Sequence, residues 1–178
     1  MIQSEEILDT LAPANREQEN NLVHSLQFLT FTVGEEEYGV DIMTVLEIKA
    51  WTDATRLPNT ASYMRGVMNL RGLVIPIFDL RARFTGQLTE PTATHVNVIL
   101  AAGERTVSIL ADTVSDILSV QKEEIKSAPD ADVTVDKAYV KGLISHEKRM
   151  VMLLDIPKLF AKSFNDEQTP QHKTNESS

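Results

Sequence analysis

The chain has 178 residues, a formal net charge of −9, no cysteine and four histidines. That length buries a core without covalent staples, and the missing thiols exclude a disulfide framework, a thiolate zinc site and a cysteine nucleophile. No basic stripe suits a nucleic-acid backbone and no apolar run reaches the length of a membrane span, so the expectation is a cytoplasmic protein that binds no nucleic acid and does not insert into a bilayer.

Residues 1–22 read as a polar, acidic tail in which Ser4, Glu5 and Glu6 before Ile7, Leu8 and Leu11 are a weak helix-start signal. LQFLTFTV and residues 38–42 read as a hairpin around Gly34, and TVLEIK as a further strand. RLPNTASYM reads as a loop. GVMNL and LVIPIF form a second hairpin across Arg71 and Gly72, and Pro76, which cannot donate to a ladder, is expected to mark an edge or a bulge. HVNVILAA, RTVSILA and TVSDILSV keep the strand habit, KEEIKSAPDADVTVDKAY is a charged loop, and VKGLIS with RMVMLL is the last hairpin. Only DLRARF and DIPKLFAKSF look helical, with Asp79 and Asp155 as N-caps whose carboxylates accept first-turn backbone N–H groups. Residues 163–178 have the composition of a solvated tail. Residues 26–160 carry 14 basic and 18 acidic side chains, so more than half of the net charge of −9 sits in the two ends and describes no binding face.

The chain repeats itself. At an offset of 76, Gly66 falls on Gly142, Ile77 on Leu153, Asp79 on Asp155 and Phe84 on Phe160; at an offset of 69, Gly34 falls on Gly103, Val45 on Val114 and Ile48 on Ile117. Alternating apolar residues alone recur by chance, but a glycine at the strand start and an acidic cap at its end point to duplication. The fold expected is all-β, with about five short strands from each half making two small barrels around a shared core, each closed by a short helix.

Nothing in the sequence builds a catalytic centre. The histidines His24, His95, His146 and His172 form no ligand-like pair, and there is no nucleophile elbow and no phosphate-binding loop. No cofactor, metal or small-molecule substrate is expected. The reading is a scaffold that presents surfaces. On TVLEIK, Val45 and Glu47 share one face because strand side chains alternate. Val45 is either core or an exposed anchor, and Arg71 in the hairpin turn is either a solvated arginine or a partner for Glu47.

The stretches FLTFTVGEEEYGVDIMTVLEI and RGVMNLRGLVIPIFDLR, followed in order by LADTVSDILSV and VKGLISHEKRMVMLLDIPKLF, are similar to the CheW family of bacterial chemotaxis coupling proteins over about residues 25–161. The resemblance implies two intertwined, SH3-like five-stranded β-barrels over residues 23–162, with tails on either side. It implies a non-catalytic adaptor that couples the cytoplasmic tips of chemoreceptors to the regulatory domain of the histidine kinase CheA and is recruited to membrane-associated receptor arrays. Carried over to this chain, the receptor-facing groove comprises Ile42, Val45, Glu47, Gly66 and Arg71, and part of the kinase-facing surface lies near Val96. With no phosphotransfer histidine or ATP-binding segment beside these motifs, the adaptor is expected rather than the kinase. An adaptor of the same fold serving another chemosensory-like pathway, such as surface motility, is the alternative, and a small ligand-binding barrel a more distant one.

Overall fold

Ten strands and two short helices follow one another in the computed structural model, which describes residues 25–129 and 135–165. The strands are β1 (Leu26–Val33), β2 (Glu36–Asp41), β3 (Val45–Ala50), β4 (Met64–Leu70), β5 (Leu73–Asp79), β6 (Val96–Ala102), β7 (Arg105–Ala111), β8 (Thr113–Val120), β9 (Val140–His146) and β10 (Arg149–Leu154). Helix α1 (Leu80–Thr85) follows β5 and α2 (Ile156–Asn165) follows β10. The weak helix signal near Ile7 and the tail expected at 1–22 lie outside the described residues, as does the end beyond Asn165.

The strands form two sheets of five, in the orders β8-β1-β2-β10-β9 and β3-β6-β7-β5-β4. Replacing each strand by its repeat partner (β1 by β6, β2 by β7, β8 by β3, β10 by β5, β9 by β4) converts the first order into the second, so the duplication read from spacing is a duplication of structure. Each sheet takes two strands from one half of the chain and three from the other. The halves are therefore interwoven, and neither can complete a sheet alone.

Closure of each sheet follows from a single backbone bridge between its edges. After β3 the chain returns at Thr55, which pairs with Val67 on β4, and after β8 it returns at Lys126, which pairs with Leu143 on β9. Both exchanges are reciprocal, with N···O distances of 3.0 and 2.9 Å at Thr55–Val67 and 2.9 and 2.7 Å at Lys126–Leu143. These contacts satisfy edge groups that would otherwise template aggregation. Pro76 is not in an edge strand, because β5 lies between β4 and β7. The parallel β5–β7 ladder begins only at Ile77, and Val67, opposite Pro76, commits both its backbone groups to Thr55. No ladder bond is asked of the missing N–H.

Burial divides into three cores. Met68, Ile75, Ile77, Ile99 and Leu110 fill the interior of the second sheet, and Phe28, Leu118, Val120, Ile144, Val151 and Leu153 that of the first. The largest core lies between the sheets, where Phe31, Tyr38, Phe78, Val98, Leu100 and Phe160 meet. Phe78, on the last strand of the first repeat, and Phe160, on the helix that closes the second, stack with centroids 4.4 Å apart. The charged loop before β9 adds to this core, since Val135 is buried in it, and the loop carries two single-turn 3-10 helices, Lys122–Glu124 and Lys137–Tyr139. Arg83 on α1 bridges the halves. Its guanidinium lies 4.8 Å from the ring of Tyr63 and 5.2 Å from that of Tyr139, the residue 76 positions on, and donates to the Tyr139 hydroxyl at 3.1 Å.

Tyr38 gives this core a pH dependence. Burial, aided by the nearby Glu36 carboxylate, pushes its hydroxyl well above the ordinary value of 10.0. The folded chain holds that proton more tightly than the unfolded chain, so the contribution to stability is complete below pH 10 and is lost as pH rises beyond it. Urea midpoints measured from about pH 9 to 11 are expected to fall along this limb, and Tyr38→Phe to flatten it.

Candidate functional site

The hairpin β4–β5 turns through two residues with positive φ, Arg71 at 51° and Gly72 at 88°. This is the twist that a tight antiparallel hairpin requires, and the Asn69 side chain accepts from Gly72 N at 2.9 Å to hold it. So placed, Arg71 Nη2 donates to Glu47 Oε2 at 2.5 Å. The bond ties the hairpin tip to β3, at the far edge of the same sheet. Glu47 also lies 3.9 Å from Lys49 Nζ. The Arg71 side chain is 74% exposed, so the pair's weight is in positioning more than in stability.

On β3 the alternation settles which face is inside. Val45, Glu47 and Lys49 are half-buried, while Leu46 and Ile48 are exposed. Val45 packs on the central core together with Ile42. Ile42 belongs to a 3-10 turn, Ile42–Thr44, capped by Asp41, whose carboxylate accepts from Met43 N at 2.9 Å. This turn presents Met43, which is 85% exposed. Met43, Leu46 and Ile48 are thus apolar surface that the sequence reading did not single out. The signal was there in Asp41 as a cap and in apolar residues at both parities of β3.

Gly66 sits on β4 with φ 138°. Its Cα faces the backbone of Thr55 so closely that a Cβ would lie 2.3 Å from the Thr55 carbonyl oxygen. The close approach this glycine permits is therefore made within the chain, at the seam that closes the second sheet. Val96 lies apart from these residues. It opens β6 opposite Ala50, four residues from Leu100, which faces Val45, so about 13 Å of strand separates them. It is half-buried against the central core.

Beside the hairpin lies a groove of about 470 Å³, lined by the apolar Leu57, Met64, Val67, Leu73, Val74, Pro76 and Phe78 and by the polar Glu104, Arg105, Thr106 and Ser163. Leu73 and Val74 are exposed, and Leu73 directly follows the Arg71–Gly72 turn, so the charge pair and the groove share one hairpin. A second hollow, lined by Arg56 and by the largely buried Arg65 among others, shares Leu57 and Met64 with the first. Among the described residues no group of three or more His, Asp or Glu is placed to hold a metal ion, and no helix is long and apolar enough to cross a membrane.

Residues 27–164 match the model of the CheW-like domain. The chain belongs to the CheW-like family. The chemotaxis protein CheW of Klebsiella aerogenes is 44% identical over 135 residues, covering 76% of this chain and 81% of that one. The probable chemotaxis protein CheW of Rhizobium etli is 39% identical over 137 residues, covering 77% and 88%. The crystal structure of the scaffolding protein TtCheW from Thermoanaerobacter tengcongensis superposes with a TM-score of 0.71 at 26% identity, over 76% of this chain and 88% of that one. The CheW-like match covers both sheets and nearly all of α2, so the interwoven pair of sheets is the family domain.

Proposed function

We propose that this protein is a non-catalytic chemotaxis adaptor that joins chemoreceptor cytoplasmic tips to the regulatory domain of the histidine kinase CheA, in the cytoplasm at membrane-associated arrays. Membership of the CheW-like family across the whole described body carries this reading. The geometry supports it. An apolar groove next to a rigid, charged hairpin suits a helical partner that lays its apolar face into the groove. In this reading Ile42 and Val45 supply burial at the receptor-facing surface, Glu47 and Arg71 fix the hairpin tip, Gly66 allows close backbone approach, and the strand end at Val96 belongs to the kinase-facing side.

Co-sedimentation with receptor-bearing membranes, with and without CheA, tests the proposal. CheA is expected to sediment and gain autophosphorylation only when this protein is added. If the protein sediments with neither partner, the assignment fails. The Glu47–Arg71 pair supplies the mutational arm. Arg71→Glu and Glu47→Arg are each expected to weaken receptor binding about tenfold while changing stability by less than about 1 kcal/mol, and the double exchange to recover part of the loss. Val45→Asp is a poor probe because Val45 packs on the central core; Leu46→Asp alters an exposed position on the same strand.

A further inference from the structure

The chain has six methionines and no cysteine, so any chemistry of a soft sulfur falls on a thioether. Met1 lies outside the described residues. Of the other five, Met68 and Met152 are buried in the cores at 8% and 5% exposure, and Met64 is half-buried along the groove beside the β4–β5 hairpin. Met150 is 49% exposed and Met43 is 85% exposed. Met43 owes its position to the backbone around it. The Asp41 carboxylate accepts from Met43 N, Thr44 Oγ1 donates to the Asp41 carbonyl oxygen at 2.7 Å, and the neighbouring Ile42 and Val45 pack on the central core. The turn Ile42–Thr44 is thus pinned, and it holds one apolar side chain out in water. The strand it leads into carries Leu46 and Ile48, which are exposed as well.

We propose that Met43 is an oxidation-sensitive switch. Hydrogen peroxide converts its thioether to the sulfoxide ahead of the other methionines among the described residues, and the sulfoxide weakens the hold of the surface around Ile42 and Val45 on a receptor helix. The order of oxidation follows from exposure; the loss of binding rests on the function proposed above. In the chemical step a lone pair on sulfur attacks one peroxide oxygen, the O–O bond breaks, and the other oxygen leaves as water. The sulfur gives up two electrons and gains one oxygen. The reaction needs open access to the sulfur, which the packing around Met68 and Met152 denies. The place of the product gives it an effect. A flexible apolar side chain becomes a polar hydrogen-bond acceptor, and an apolar partner face that covers it leaves that acceptor unpaired. Ile42 and Val45 keep their own packing on the core, so the change is confined to the surface. A dithiol-dependent methionine sulfoxide reductase reverses the step: the sulfoxide oxygen leaves as water and two thiols become a disulfide.

Dilute hydrogen peroxide on the full chain, followed by peptide mass spectrometry, tests the chemistry. Met43 is expected to gain one oxygen about twofold or more faster than Met150, and about tenfold or more faster than Met68 and Met152. Co-sedimentation with receptor-bearing membranes, after the peroxide has been removed, reads the consequence. Complete oxidation at Met43 is expected to weaken binding about five- to tenfold, and methionine sulfoxide reductase with dithiothreitol to restore it. The Met43→Leu chain, which lacks this sulfur, is expected to give the same binding before and after peroxide. Oxidation of Met150 as fast as Met43, binding unchanged by the Met43 sulfoxide, or an equal loss in the treated Met43→Leu chain would overturn the switch. If the untreated chain does not sediment with receptor-bearing membranes, the functional reading fails and takes the loss of binding with it, while the peptide masses still decide whether Met43 is the site of oxidation.

Discussion

Gly66→Ala is expected to lower stability by about 3–5 kcal/mol, near the top of the range for a single substitution. Two terms combine. The added Cβ would lie 2.3 Å from the Thr55 carbonyl oxygen and 2.7 Å from its carbon, and neither backbone atom can swing away as a side-chain tip can. The backbone at φ 138° is also one that L residues adopt only at a cost of about 1–3 kcal/mol. Relief of the contact requires the Thr55–Val67 exchange to open, which unseals the second sheet. Gly142, at the equivalent seam, is the control. A Cβ there meets the Cγ2 methyl of Ile125 at 2.5 Å and the Lys126 carbonyl oxygen at 3.0 Å. Gly142 has no positive φ and no backbone atom closer than 3.0 Å, so relief falls on the Ile125 side chain alone, and Gly142→Ala is expected to cost less, about 1–3 kcal/mol. Chemical denaturation of both variants decides the matter. If Gly66→Ala keeps wild-type stability and loses only receptor binding, the glycine serves the partner and the seam argument is wrong.

Much of this fold was legible because its information is local. Arg105–Ala111, Thr113–Val120 and Arg149–Leu154 begin and end where their apolar runs do, since a strand half-buried on a core shows its period in its own residues. The repeat was legible because Gly66 and Gly142, and Asp79 and Asp155, hold fixed offsets. The exchange of strands between halves could not be derived from residue patterns alone, and only the family resemblance pointed to it. Pairing β1 with β8 joins residues 81–94 positions apart, and an alternating strand looks the same whichever partner it takes. Val135 was hidden for a related reason, as one buried valine in an acidic loop has no period. At the candidate site, the shared face of Val45 and Glu47 was readable from alternation, whereas the bridge from Glu47 to Arg71 was one of two readings that turn chemistry left open. Which face of β3 lies inside was not, because Val45, Leu46 and Ile48 place apolar residues on both.

Asp79→Ala is expected to cost about 3–5 kcal/mol, although an N-cap substitution alone is worth only about 0.5–2 kcal/mol. The difference lies in what the buried carboxylate holds. Asp79 accepts from Ala82 N at 3.1 Å, which caps α1, and also from Thr89 N at 2.7 Å and Thr89 Oγ1 at 2.9 Å. Thr89 is itself buried. One side chain thus starts a helix and pins the segment that leaves it, with the Arg65 guanidinium 3.8 Å away as its counter-charge. Removing it leaves two backbone donors and a hydroxyl unpaired in the interior and strips Arg65 of its neighbour. Asp79→Asn cannot repair this, because an amide NH2 turned towards Thr89 sets donor against donor. Asp155, the repeat partner, caps α2 through Lys158 N at 3.2 Å and faces an exposed Lys158 ammonium at 3.6 Å. Asp155→Ala is therefore expected to cost only about 1 kcal/mol. Equal losses at the two positions in parallel urea titrations would mean that Thr89 contributes nothing and that capping accounts for both. The expected gap of 2 kcal/mol or more, narrowed when Thr89→Val is combined with Asp79→Ala, would assign the excess to the buried network.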